Sequence, residues 1–220
     1  ATYYQDEEVI QWGLVMGPFA QPKPDAWGSN QVSEIIVNLS PFSDFISSLS
    51  GVNADWATGT EPIYDLIYLS LWNLAPPSAL PWPISDLSFL EDFGSWNETY
   101  TDPKPQDFEI NWREDAQHVV IVFTDEPGQS YISMLEQLNV LSSLYNEGIS
   151  QLDLQQLISN CIDLNVYTFT KLAQKDTTYM GQQAGFEPLT IYGGQWFELV
   201  GNPAQLYENL MQIIDDNACE

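Results

Sequence analysis

The chain has 220 residues, 44% of them hydrophobic, which fits one α/β domain with room for a sizeable core. Lys and Arg number 5 against 31 Asp and Glu, a formal net charge of -26 that excludes nucleic acid and anionic membrane surfaces as partners. The acids are scattered rather than gathered in a tail, as in a high-salt or extracellular protein, and no apolar run reaches membrane-spanning length.

Val9–Met16 reads as a strand, Gly17–Gly28 as a Pro/Gly-rich loop, and Glu34–Asn38 as a second short strand. Ser40 is placed to cap a helix with Pro41 in its first turn. Phe42, Phe45, Ile46 and Leu49 then recur at helical spacing, the aromatic pair is assigned to the core and not to a ligand platform, and Gly51 ends the helix. Thr60 caps the next helix. Its residues Ile63, Leu66, Ile67, Leu69, Leu71, Trp72 and Leu74 are apolar almost all round, so it is expected to be buried. Residues 75–110 form an insertion rich in Pro and Trp, with Trp82, Phe89, Leu90, Phe93 and Trp96 spread along it. A structural flap covering the buried helix is the expectation there, ahead of a binding loop.

The stretch His118–Gln129 reads HVVIVFTDEPGQ. Val119–Phe123 suits a central strand of a parallel sheet, buried on both faces and stopped by Pro127-Gly128. Ligands of open α/β sheets bind beyond the carboxyl ends of the strands, which puts the Asp125 carboxylate at a crevice. Helices are predicted over Tyr131–Leu144 and Leu152–Ile162, and strands over Asn165–Thr170, Leu189–Tyr192 and Trp196–Val200. Asn202 caps a final helix with Pro203 at its first position and Leu206, Leu210, Ile213 and Ile214 on one face. The alternation predicts a single α/β domain over 1–220, with a mainly parallel sheet and helices on both faces.

The order WGLV, NLSPFSDFISSL, GTEPIYD and then WR leading into HVVIVFTDE resembles the von Willebrand factor A domain, most of all its integrin-β-like branch. The resemblance covers nearly the whole chain and implies a Rossmann-like sheet with a divalent cation at its top. Carried over, the metal-ligating positions are Thr60 or Glu61 and Asp125, an oxygen set suited to Mg²⁺ or Ca²⁺ with room for a partner's carboxylate. The family's DxSxS loop is absent from these residues. WGLV resembles the family's second strand, so the first strand would lie before Ala1. Three readings stay open: the strand comes from another part of a larger polypeptide or a separate fragment, a different segment fills its place, or the sheet is truncated and the metal site lost. An empty central slot would leave many backbone groups unpaired, so a filled slot is expected, with another chain or fragment as its source.

Cys161 and Cys219 have no zinc-type spacing. Each follows a predicted helix whose end lies at the bottom of the sheet, which makes them a candidate disulfide and points to an oxidising compartment. Asn38-Leu39-Ser40 is followed by Pro41 and is a poor glycosylation acceptor, leaving Asn97 in Asn97-Glu98-Thr99 as the candidate. His118, the one histidine, opens the central strand at the end away from the crevice and reads as structural. No triad geometry, glycosidase pair or phosphate loop is legible, so no enzymatic activity is expected. The expected function is a secreted or cell-surface binding or adhesion module with a protein ligand. The alternative is a structural subunit of a filament, appendage or surface assembly that self-assembles by strand exchange.

Overall fold

A computed structural model describes residues 10–16, 34–49, 63–75, 109–130, 149–179 and 181–218. The predicted helix over 131–144, residues 76–108 of the insertion, Thr60, Glu61, Asn97 and Cys219 lie outside the described residues.

Strands β1 (Trp12–Met16) and β2 (Glu34–Ser40) pair antiparallel, Trp12 opposite Ser40. Helix α1 (Phe42–Leu49) follows directly. Its apolar positions do not enter the core as the spacing predicts: none of its residues is buried, and Ile46 is 46% exposed. The helix packs on a two-stranded ribbon, where Trp12 meets Phe42 and Phe45 at ring-centroid distances of 5.8 and 5.9 Å. Such a ribbon has too little surface to cover a helix face.

Helix α2 (Ile63–Leu71) is buried along nearly its whole length, as its all-round apolarity predicts. One side, with Leu66 and Leu69, meets Val15, Ile35 and Leu39 of the ribbon. The other, with Ile63, Tyr64, Ile67 and Leu71, packs under β3 (His118–Thr124). Trp112, just before β3, donates its indole N–H to the Ser70 carbonyl at 3.1 Å and stands edge-on to His118. His118 is buried, with its ring nitrogens 3.1 and 2.7 Å from the Ile162 and Arg113 carbonyls, a structural role as expected.

Helix α3 (Gln151–Asn160) opens on a capping box. The Ser150 hydroxyl accepts from the Asp153 N–H at 3.2 Å, and the Asp153 carboxylate accepts from the Ser150 N–H at 2.7 Å. Strand β4 (Leu164–Thr170) pairs parallel with β3 in one continuous register, from His118 opposite Leu164 to Thr124 opposite Thr170. A 3₁₀ turn (Leu172–Gln174) and a short hairpin, β5 (Thr178–Tyr179) with β6 (Gln182–Gln183), come next. Residues Glu187–Thr190 then form a second 3₁₀ turn where a strand over Leu189–Tyr192 was predicted. Pro188 opens that turn and withholds an N–H from any ladder. Gly193 and Gly194 follow with φ of 153° and 107°. A Cβ at Gly194 would stand 2.1 Å from the Val166 carbonyl oxygen, so the chain crosses β4 there only as glycine. Strand β7 (Trp196–Glu198) pairs parallel with β4, and helix α4 (Pro203–Ala218) closes the described chain.

The result is a mixed α/β unit with a three-stranded parallel sheet in the order β3-β4-β7. Helices α2 and α3 cover one face with Val122, Leu164 and Val166 beneath them. Helix α4 covers the other, laying Leu206, Leu210 and Ile213 on Tyr167, Phe169 and Phe197. Rings of Phe123, Phe169 and Phe197 stack in a row across the three strands, 4.8 and 4.9 Å apart. One expectation is corrected: among the described residues β4, not β3, is the central strand. Strand β3 is an edge, and Phe123 at its end is 47% exposed rather than buried. No helix among the described residues is long and apolar enough to cross a membrane.

Candidate functional site

The carboxyl ends of β3 and β4 carry matching sequences, Phe123-Thr124-Asp125 and Phe169-Thr170-Lys171. Because Thr124 pairs with Thr170 in parallel register, the next residue of each strand emerges at the same level. Asp125 and Lys171 therefore meet, Nζ to Oδ2 at 2.8 Å, with both side chains about half exposed. Below them the two threonines are buried. Thr124 Oγ1 accepts from the Glu126 N–H at 3.1 Å, and Thr170 Oγ1 accepts from the Trp196 indole N–H at 2.8 Å. These bonds tie both strand ends down and aim the charged pair outward.

Glu126 is the third charged group of the cluster. Partial burial and then the neighbouring Asp125 charge raise its carboxyl above the ordinary value of 4.5, against the opposing pull of Lys171. The hydrogen bond to Asp125 in turn raises the Lys171 ammonium, holding it charged. Lys175, one turn on, is engaged elsewhere: it pairs with Glu187 at 3.1 Å and lies 4.9 Å over the Trp196 ring.

The segment after Glu126 runs directly into the first turn of α2. The Tyr64 N–H donates to the Gln129 carbonyl at 3.0 Å, and Ser130 Oγ donates to the buried Asp65 at 3.2 Å. Gly128 donates its N–H to the Ala184 carbonyl at 2.9 Å and lies against the Tyr64 ring, where a Cβ would come within 2.1 Å of ring carbons. The end of the loop after β3 and the first turn of α2 are thus adjacent. A small cavity of about 20 Å³, room for about one water molecule, lies beside them, lined by Tyr64, Gly128, Gln129, Ser130, Tyr179 and Gln182 among others. Hydroxyls and amides face it, and among the described residues no carboxylate, histidine or thiol lines it.

Of the predicted metal-ligating residues, Asp125 stands where the strand pattern puts it, and Thr60 and Glu61 lie outside the described residues. Among the described residues no three His, Cys, Asp or Glu side chains converge to hold a metal. The donor chemistry at hand, carboxylates of Asp125 and Glu126, is of the hard-oxygen type that Mg²⁺ and Ca²⁺ take. The shell it offers is partial, and the Lys171 ammonium already pairs with one Asp125 oxygen. Lys171 is the site residue that sequence reading missed. Its signal was the twin Phe-Thr ending of the two strands.

At the opposite end of the sheet, Cys161 packs beside the α2–α3 core, with Sγ 3.4 Å from the Leu157 carbonyl and no disulfide partner among the described residues. Burial pushes this thiol up to about 12. Asn165 donates to Asn217 at 2.7 Å, so the last turn of α4 also reaches the bottom of the sheet, but on the face opposite Cys161. Asn38 is tied at both side-chain atoms, to the Glu109 carbonyl and the Asn111 N–H at 2.8 Å each.

Comparison of the chain with protein-family models, with curated proteins and with solved structures gives no match.

Proposed function

We propose that this domain is a binding module, not an enzyme, that takes a protein ligand at the crevice beyond the carboxyl ends of β3 and β4. Asp125 is its central residue, with Thr60 and Glu61 completing a site for Mg²⁺ or Ca²⁺. The observation that carries the reading is the register of β3 and β4, which brings Asp125 and Lys171 together at the carboxyl ends of the two strands with Glu126 next to them. The resemblance of the GTE and TDE loops to the von Willebrand factor A domain supports the same reading, as does a chain so acidic that it attracts divalent cations. A secreted or cell-surface location accompanies it. Calorimetric titration with MgCl₂ and CaCl₂ tests the site: saturable binding with a one-to-one stoichiometry supports it, and no heat up to tens of millimolar removes it.

A second reading, a structural subunit that assembles by strand exchange, is favoured by one observation. Strand β3 ends the described sheet, with Val119 and Ile121 only half-buried and Phe123 47% exposed. An apolar strand at a sheet edge is a template for pairing. In this reading the partner supplies a strand beside β3. Sedimentation of the purified chain separates the readings, since exchange yields dimers or longer assemblies that grow with concentration.

A further inference from the structure

We propose that two copies of this chain pair through β3 as a closed two-fold dimer, antiparallel and centred on Ile121. The inference deepens the self-assembly reading above by naming a second copy as the partner, and it makes no use of the cation site. The alternation of the strand decides which groups face outward. His118 donates its N–H to the Asp163 carbonyl just before β4, so His118, Val120, Val122 and Thr124 turn their backbone groups to β4. Val119, Ile121 and Phe123 turn theirs the other way, to the edge at which the described sheet ends. None of these three N–H groups or three carbonyls has a hydrogen-bond partner among the described residues. The same three side chains share one face of the strand, with Val119 and Ile121 half-buried and Phe123 47% exposed.

This edge is complementary to itself. Turned antiparallel about Ile121, the strand sets Ile121 against its own copy and Val119 against Phe123 of the second copy. Outward-facing residues placed directly opposite exchange both of their N–H···O bonds. Every outward group of each copy is then satisfied, with none left over. The side chains match as well: Val120 faces Val122, and the exposed Phe123 gains the second copy's Val119 beside it. The strand holds no Lys, Pro, Asp or Glu, so it lacks the residues by which edge strands resist pairing. Charge selects the direction. Antiparallel pairing puts Asp125 opposite the uncharged Gln117, whereas in-register parallel pairing would set Asp125 against Asp125 in a chain of net charge -26. A two-fold contact also closes on itself, so the assembly stops at two copies.

The test combines sedimentation at low and high NaCl with a cysteine map, both on the full chain. Screening by salt is expected to favour the dimer. Opposed residues of a hydrogen-bonded antiparallel pair have Cα atoms about 5.5 Å apart, within disulfide reach. Ile121→Cys is therefore expected to link two copies at residue 121 under oxidised glutathione, read by mass spectrometry of non-reduced peptides. Val119→Cys or Phe123→Cys alone is expected not to link, since each lies about 13 Å along the strand from its own copy, whereas a mixture of the two links. Thermal melts confirm that each variant folds, and the mixture reads the register should Ile121→Cys not fold. Phe123→Lys is expected to give a monomer, and Phe123→Leu to keep the dimer. A dimer without these links, or one that Phe123→Lys leaves intact, overturns the two-fold register and leaves self-assembly standing. Assemblies that grow without limit overturn the closed dimer and favour a filament. A monomer in both salts overturns the dimer and the self-assembly reading together, and leaves the edge to a foreign strand.

Discussion

Asp125 and Lys171 lie far apart in the chain, and neither is remarkable in its local sequence. Their pairing follows from a residue-level coincidence: two strands in uninterrupted parallel register both end in Phe-Thr, so the next side chains are neighbours. Glu126 beside them carries a pH signature. Its carboxyl is raised in the folded state, so between the ordinary value of 4.5 and the folded value the native protein holds more protons than the unfolded chain. Stability therefore falls as pH rises through that window. Glu126→Gln is expected to raise the melting temperature at pH 7 and to leave it unchanged at pH 3.5, and melts across this range check it. Gly128 carries a steric signature. Gly128→Ala would drive a methyl into the Tyr64 ring, which is 2% exposed and anchored by its hydroxyl to the Gly185 carbonyl at 3.0 Å. A loss of about 1–3 kcal/mol is expected by urea denaturation. An unchanged midpoint would mean that the loop does not press on α2.

At the scale of elements, what the sequence made legible was burial, and what it hid was context. An unbroken apolar run predicted β3, alternation predicted β4, and all-round apolarity predicted a buried α2, because these signals are intrinsic to the segments. The helical spacing of Phe42, Phe45, Ile46 and Leu49 predicted α1 correctly, but not its half-exposed apolar face, which depends on how little surface the ribbon offers. Leu189–Tyr192 looked like a strand on composition, and Pro188 with two positive-φ glycines made it a turn. Lys171 was invisible because its role lies in strand register, which a single sequence states only indirectly. The same local logic gives a prediction for α3. Ser150→Ala removes one half of its capping box and is expected to destabilise the protein by about 1 kcal/mol, read by chemical denaturation. Asp153→Ala is expected to act in the same direction, since the Asp153 carboxylate accepts the Ser150 N–H at 2.7 Å.

Across the whole molecule, three features bear on function together: a net charge of -26, a sheet whose described edge is the apolar β3, and an exposed ion pair at the carboxyl end of that strand. The charge keeps the chain soluble and repels like-charged copies, so self-association through β3 is expected to strengthen with added salt. Sedimentation at low and high ionic strength measures that. A monodisperse monomer under both conditions would contradict an accessible strand edge. At the other end of the sheet, a Cys161–Cys219 bridge would close a long loop and restrict the unfolded chain by about 4 kcal/mol in the entropy model. Mass spectrometry of non-reduced peptides settles it, and two free thiols would remove the bridge as a sign of an oxidising compartment. The crevice remains the functional claim on which the rest depends, and one comparison tests it most directly: thermal melts of the full chain and of Asp125→Ala with and without 10–50 mM Mg²⁺ or Ca²⁺, at constant ionic strength. A melting temperature that the ion raises in the full chain but not in the folded Asp125→Ala variant is the predicted result. An equal shift in both proteins, or none in the full chain, would contradict it.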